Sequence, residues 1–331
     1  MKKNNAAVSA QNERYINAYT SADAGFTFTV AVLVSIAVSV LFSIVISAIA
    51  NSKGLTAADY GKQLQNGFIY YVFAYGLSSV SVLIALLISS KRKNLSFSAI
   101  VPFKKFHYKY LILAAMLAFG MLFGLGELNN IFVSLLEKLG YAKPAMTLPN
   151  DRLWKLAVWL IVAGALPAFL EECLFRGYIL SGLKEQSVVF TVLIGGLAFS
   201  LFHQNPQQTP YQFVCGAAFF LIALRSGSVW PSVLIHFANN AVVLISNYLY
   251  TGGTEGNATV TAVLTALGLL CFAAAAVYLI FFDKNKPTDI VPSNEKNALN
   301  HTKKGFFIYS FIGFAACLIM WVADLLTYMG A

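Results

Sequence analysis

The chain has 331 residues, of which 58% are hydrophobic and only 11% charged, with a mean hydropathy of +0.68 and a net charge of +9. So few charges cannot solvate the surface of a soluble domain of this size, which excludes the water-soluble classes and points to an integral membrane protein. The positive charge would suit a nucleic-acid partner, but it lies in loops between apolar runs, so nucleic acid is not expected.

A membrane span needs roughly 20 mostly apolar residues. Runs of about that length fall near 25–50, 68–90, 108–130, 153–180, 188–203, 211–224, 229–250, 259–282 and 305–328. The fifth and sixth are short, so the count is eight or nine. Backbone groups in a bilayer must pair within their own segment, which makes these helices and the fold an all-α polytopic bundle. The first run follows about two dozen polar residues and exceeds the length of a signal-peptide core, so it is expected to persist as a span. Cys173, Cys215, Cys271 and Cys317 all fall in spans, where cysteine reads as a small apolar residue.

Basic residues are unevenly distributed. Lys2, Lys3, Arg14, Lys91, Arg92, Lys93, Lys104, Lys105, Lys109, Lys184, Arg225, Lys284, Lys286, Lys296, Lys303 and Lys304 share one side, sixteen of the 23. The other side has Lys53, Lys62, Lys138, Lys143, Arg152 and Lys155, and Arg176 lies inside a span. The positive-inside rule then makes the N-terminus cytoplasmic, with the lipid bilayer and its anionic headgroups as partners. No repeat or soluble domain interrupts the chain, which reads as a single membrane domain over 1–331 with its chemistry in 150–250.

Within that region lies Leu170-Glu171-Glu172-Cys173-Leu174-Phe175-Arg176. A charge near the bilayer centre costs roughly 2.5–3.5 kcal/mol on insertion scales, so intramembrane carboxylates signal function. Glu172 and Arg176 are one helical turn apart, in the order that lets the side chains pair. Glu171 is turned about 100° away and has no such partner, which leaves it free for chemistry. Pro167, just upstream, is expected to kink the helix and free a carbonyl. Glu127 and Asp324 lie at span ends and read as structural.

Two histidines accompany these acids. Phe199 and His203 are one turn apart, as are His236 and Asn240, while His107 and His301 lie in loops. Counted from the turn at 182–187, Glu171 lies roughly 18 Å deep and His203 roughly 24 Å, on antiparallel neighbours. His236 and Asn240, counted from the turn at 225–228, lie roughly 12–18 Å deep. One intramembrane polar pocket can hold all four. Taken singly, each histidine reads as well as a cap or an interhelical hydrogen bond; their joint occurrence favours a site.

The three motifs in order, EExxxR at Glu171–Arg176, FxxxH at Phe199–His203 and HxxxN at His236–Asn240, resemble the CPBP (Abi) family of intramembrane proteases. That family includes CAAX prenyl proteases and bacterial bacteriocin-processing and self-immunity proteins. The resemblance covers about residues 150–250 and implies an endopeptidase acting on a membrane-associated peptide or protein, in a bacterial cell membrane. It further implies that Glu171 and His203 activate water and that His236 and Asn240 hold the oxyanion, with Glu172, Arg176 and Phe199 in support. The family is described as metalloproteases, which makes Glu171, His203 and His236 candidate zinc ligands. No HExxH is present, however, and a metal-free glutamate mechanism stays open. Two other classes remain: a catalytically silent binding or bacteriocin self-immunity protein, and a proton-coupled transporter. Paired repeats would mark the transporter, and the chain shows none.

Overall fold

The computed structural model describes residues 19–64, 67–143, 148–249, 257–283, 285 and 299–330. Lys2, Lys3, Arg14, Lys284, Lys286 and Lys296 lie outside the described residues, as does the side chain of Lys62. The described chain is helical throughout, apart from loops and one isolated bridge between Tyr141 and Met329. Its long helices are α1 (Ser21–Ser52), α2 (Phe68–Lys93), α3 (Lys109–Lys138), α4 (Leu153–Leu183), α5 (Val188–Phe202), α6 (Thr209–Ser226), α7 (Trp230–Leu249), α8 (Ala258–Phe282) and α9 (Lys303–Tyr328).

These nine coincide with the nine runs in the sequence, but only seven are long and apolar enough to cross a membrane. The exceptions are α5, with 15 residues, and α6, whose 18 residues carry a polar start at Thr209-Pro210-Tyr211-Gln212. A 15-residue helix rises about 22 Å, short of a hydrocarbon core of roughly 30 Å. The two pack against each other as an antiparallel pair. Elsewhere the helices present large apolar side chains outward, among them Leu41, Phe73, Phe281, Phe311 and Ile319, each more than half exposed. Lipid, not water, is the solvent for such a surface.

Helix ends are fixed by polar chemistry. Thr20 and Asp23 form a reciprocal cap at the start of α1. Asp23 is also bound by Arg92 at 2.8 Å and Lys93 at 2.7 Å, tying α1 to the end of α2. α1 and α9 touch backbone to backbone at Gly25, where a Cβ would come within 2.4 Å of the Phe306 carbonyl. At the other end, Asp324 of α9 accepts from Tyr141 at 2.7 Å and pairs with Lys143 at 2.6 Å. Burial pushes the Tyr141 phenol up, so it stays a donor. Asp324 is thus structural, and among the described residues Glu127 accepts only from Asn130, at 3.1 Å, one turn away in α3.

Asp283, just beyond α8, pairs with Lys109 at 3.1 Å and accepts from the Asn285 N–H at 3.0 Å. Burial alone would push this carboxyl up, but the bonds from the Asn285 N–H and Lys109 hold it below its usual 3.8. A lowered folded pKa contributes stability above pH 3.8 that is lost as pH falls through the folded value. Asp283→Asn should therefore cost about 1–2 kcal/mol at pH 7, between the values for exposed and buried pairs because Lys109 is partly solvated. Thermal unfolding in detergent checks this: the gap to wild type closes as pH drops below 3.8. Identical melting at pH 7 would show that the pair contributes nothing.

α4 carries the functional run through the middle of the bundle, packed against α1, α2, α6 and α7. It is not a uniform α-helix: wide, π-type turns occupy Leu160–Ala165 and Cys173–Ile179. The first ends two residues before Pro167, and Leu166 N–H reaches back five residues to the Ile161 carbonyl. The proline that lacks an N–H is thus accommodated by widening the preceding turn. The second wide turn begins directly after Glu172, a setting in which π-turns commonly reposition functional side chains.

Candidate active site

Arg176 organises the site. Its guanidinium is fully buried, donates to Glu172 Oε1 at 2.8 Å and to the Gly216 carbonyl of α6 at 2.9 Å. Its Cζ lies 4.6 Å from the Phe199 ring, 4.9 Å from Phe219 and 4.8 Å from Phe220, a cage drawn from α5 and α6. The Arg176–Gly216 bond needs α6 close by, and a Cβ on Gly216 would stand 3.0 Å from Phe199 and 3.1 Å from Gly196 Cα. The absence of a side chain there lets α5 and α6 meet and bring their aromatic rings over the cation.

Glu172 has a second partner that its spacing did not announce. His236 Nδ1 lies 3.0 Å from the same Oε1 that receives Arg176. A carboxylate only accepts, so Nδ1 carries the proton, and the ring of His236 is oriented by Glu172. The Phe199 and Phe219 rings, 5.9 and 5.7 Å from the imidazole, fix it from two sides. Glu172, Arg176 and His236 therefore form one buried unit across α4 and α7, tied to α6 by the Arg176–Gly216 bond.

Glu171 points elsewhere, as the 100° offset requires, and meets His203 at the end of α5. Glu171 Oε2 and His203 Nε2 are 3.9 Å apart. His203 Nδ1 is 2.8 Å from the Phe199 carbonyl, which accepts only, so in the neutral ring Nε2 presents its lone pair toward Glu171. Glu171 Oε2 itself is buried and accepts no hydrogen bond from the described residues. Two acceptors facing each other across 3.9 Å are too far apart for a direct hydrogen bond, and a single molecule donating to both fits between them.

Asn240 lies one turn beyond His236, half-buried, and its amide makes no hydrogen bond within the described residues. Its neighbour Asn239 takes the structural part, accepting from Tyr211 of α6 at 2.7 Å. Of the positions read in the sequence, the structure thus joins Glu171 to His203, and Glu172 to both Arg176 and His236, with Phe199 touching both histidines. The bond between Glu172 and His236 crosses helices, so no local spacing could have revealed it. Gly216 and the phenylalanine cage escaped for the same reason.

The candidate zinc ligands are not grouped as a site. Among the described residues no three His, Cys, Asp or Glu side chains come together to hold a metal ion. Nδ1 of His236 is committed to Glu172, while Glu171 and His203 face each other. The donor set in this arrangement does not fit a three-ligand zinc centre.

Beside the site runs a groove of about 660 Å³ whose wall is mostly apolar, from Ile36, Val40, Ile44, Ala48 and Met320, with a row of Ser35, Ser39, Ser43, Ser47 and Asn51 of α1 and with Gln204, the residue after His203. The hydroxyls of Ser43 and Ser47 donate to the carbonyls four residues back, at 2.9 and 2.8 Å, which lets a polar stripe exist on a membrane helix.

The helical bundle thus sets Glu171 against His203 and carries His236 and Asn240, one turn apart, on a separate helix. Residues 153–242 match the family model described as type II CAAX prenyl endopeptidase Rce1-like, a likeness confined to this segment of the chain. The match spans α4 through most of α7 and contains all three motifs. No curated protein and no solved structure matched the chain.

Proposed function

We propose that the protein is an intramembrane endopeptidase that hydrolyses a peptide bond of a membrane-associated peptide or protein, with Glu171 as general base. The observation that carries this reading is the unpartnered Glu171 Oε2 facing His203 Nε2 across 3.9 Å. A water donating to both is held with its lone pair outward. Its oxygen attacks the carbonyl carbon as one proton passes to Glu171, and Glu171 then delivers that proton to the departing amine as the C–N bond breaks. No step requires a metal, in keeping with the arrangement of the donors.

The tetrahedral oxyanion needs donors, and the free amide of Asn240 supplies one. His236, its ring held by the bond from Nδ1 to Glu172, is the second group this reading sets beside the oxyanion. Arg176 and Phe199 position the histidines and touch no reacting atom. The serine-lined groove offers the substrate a lateral path, because an unwound peptide in lipid needs polar partners for its backbone. The end of the bundle bearing Lys91–Lys93 and Lys104–Lys109 faces the cytoplasm in this reading, and the membrane is that of a bacterial cell.

Asn240→Ala tests the oxyanion assignment. It should lower kcat about 10²–10³-fold while leaving KM for a membrane-tethered reporter peptide nearly unchanged. A variant that raised KM and left kcat intact would make Asn240 a substrate-binding residue instead.

A further inference from the structure

Where the loop 101–108 meets the turn into α7, a cavity of about 340 Å³ is lined by Phe103, Lys104, Lys105, Phe106 and Trp230. Its floor is fixed. Val229 N–H donates to the Pro102 carbonyl at 3.1 Å, and the Ser228 hydroxyl to the Lys104 carbonyl at 2.6 Å. Phe103 lies between Trp230, 5.6 Å away, and Phe169, against which it stacks at 6.0 Å and 13°. The side chains of Lys104 and Lys105 are exposed.

Among the described residues, charge at this end of the bundle is one-sided. Its described carboxylates are already engaged: Asp23 by Arg92 and Lys93, Asp283 by Lys109, and Glu185 by His301 at 3.3 Å. Lys105 makes no ion pair among the described residues, so a positive charge stands over an aromatic pocket where the helices leave the bilayer. The pocket also continues downward. Trp230, Leu234 and Phe237 follow one another at i, i+4 and i+7 on α7, 38%, 42% and 36% exposed, forming an apolar track from the lysines into the hydrocarbon region.

We infer that this pocket binds an anionic phospholipid, its phosphate at Lys104 and Lys105, its glycerol region against Trp230 and Phe103, and an acyl chain along Leu234 and Phe237. The charge complements a phosphate, and the apolar track argues for a lipid over free phosphate. Because Phe169 lies two residues before Glu171 and Trp230 opens the helix of His236, the lipid would rest on both site-bearing helices. The binding site itself does not depend on the proteolytic reading.

The test uses the full chain in detergent, exposed to equal amounts of phosphatidylglycerol and phosphatidylcholine and analysed by native mass spectrometry. Each lysine near a headgroup is worth about fivefold, so the wild type should prefer phosphatidylglycerol by about 25-fold. Lys104→Ala/Lys105→Ala should bring the two lipids near parity, and Lys105→Gln alone should remove about fivefold. Lys53→Ala/Lys138→Ala, at the opposite end, should retain the preference. Equal preference in wild type and the Lys104/Lys105 variant overturns the site, as does an equal loss in the Lys53/Lys138 control. Displacement of the bound lipid by millimolar inorganic phosphate would make it a free-anion site and overturn the lipid assignment.

Discussion

Arg176→Met is expected to destabilise the fold by about 3–5 kcal/mol, the largest effect of any single change outside the reacting groups. The guanidinium is wholly buried and balances a wholly buried Glu172. Its removal leaves that carboxylate with only a histidine, in a place where water cannot reach it. The Gly216 carbonyl loses its donor, and three aromatic rings lose the cation they surround. Glu172→Gln has a related consequence, since an uncompensated buried cation remains. The double variant Glu172→Gln/Arg176→Met should be less damaged than the sum of the singles, because no charge is left unpaired. Thermal inactivation and the monodisperse fraction in detergent measure this cycle. Strict additivity would show that the pair carries no coupling.

Glu171→Gln should instead leave the protein folded and remove at least about 10²–10⁴-fold in kcat. Gln is nearly isosteric with Glu and still polar, but its amide cannot take a proton from water at neutral pH. The buried Oε2 that accepts nothing from the protein is the atom whose basicity is lost. His203→Ala should fall in the same range, since the imidazole holds the other side of the same water, and the two losses together should not multiply. The contrast with Arg176→Met separates the roles: one substitution spares stability and abolishes turnover, the other attacks the fold.

The parts of this site that were legible in the sequence are those governed by one helix at a time. Glu172 with Arg176 follows from a four-residue spacing, and the opposite orientation of Glu171 follows from a single 100° step. The meeting of Glu171 with His203 could be anticipated because both lie at similar depth on helices joined by a short turn. His236 was different. Its depth could be estimated, but its azimuth depends on how α7 packs across α4, and there it selects Glu172, not Glu171. The zinc expectation depended on that azimuth too. The wide turns of α4 were half-visible: Pro167 announced a disturbance, yet a π-turn in place of a sharp kink depends on whether neighbours can satisfy the shifted carbonyls. All nine runs proved helical, while α5 and α6 fall outside the seven judged able to span alone because one is short and the other opens with polar residues.

The most direct test incubates purified wild type and Glu171→Gln in nanodiscs with a panel of membrane-tethered reporter peptides, with and without chelator, and follows the products by mass spectrometry. Wild type should cleave at a single peptide bond, the product masses summing to the substrate plus one water, unaffected by chelator, and Glu171→Gln should give no products. Cleavage by Glu171→Gln at the wild-type rate would show that Glu171 is not the general base.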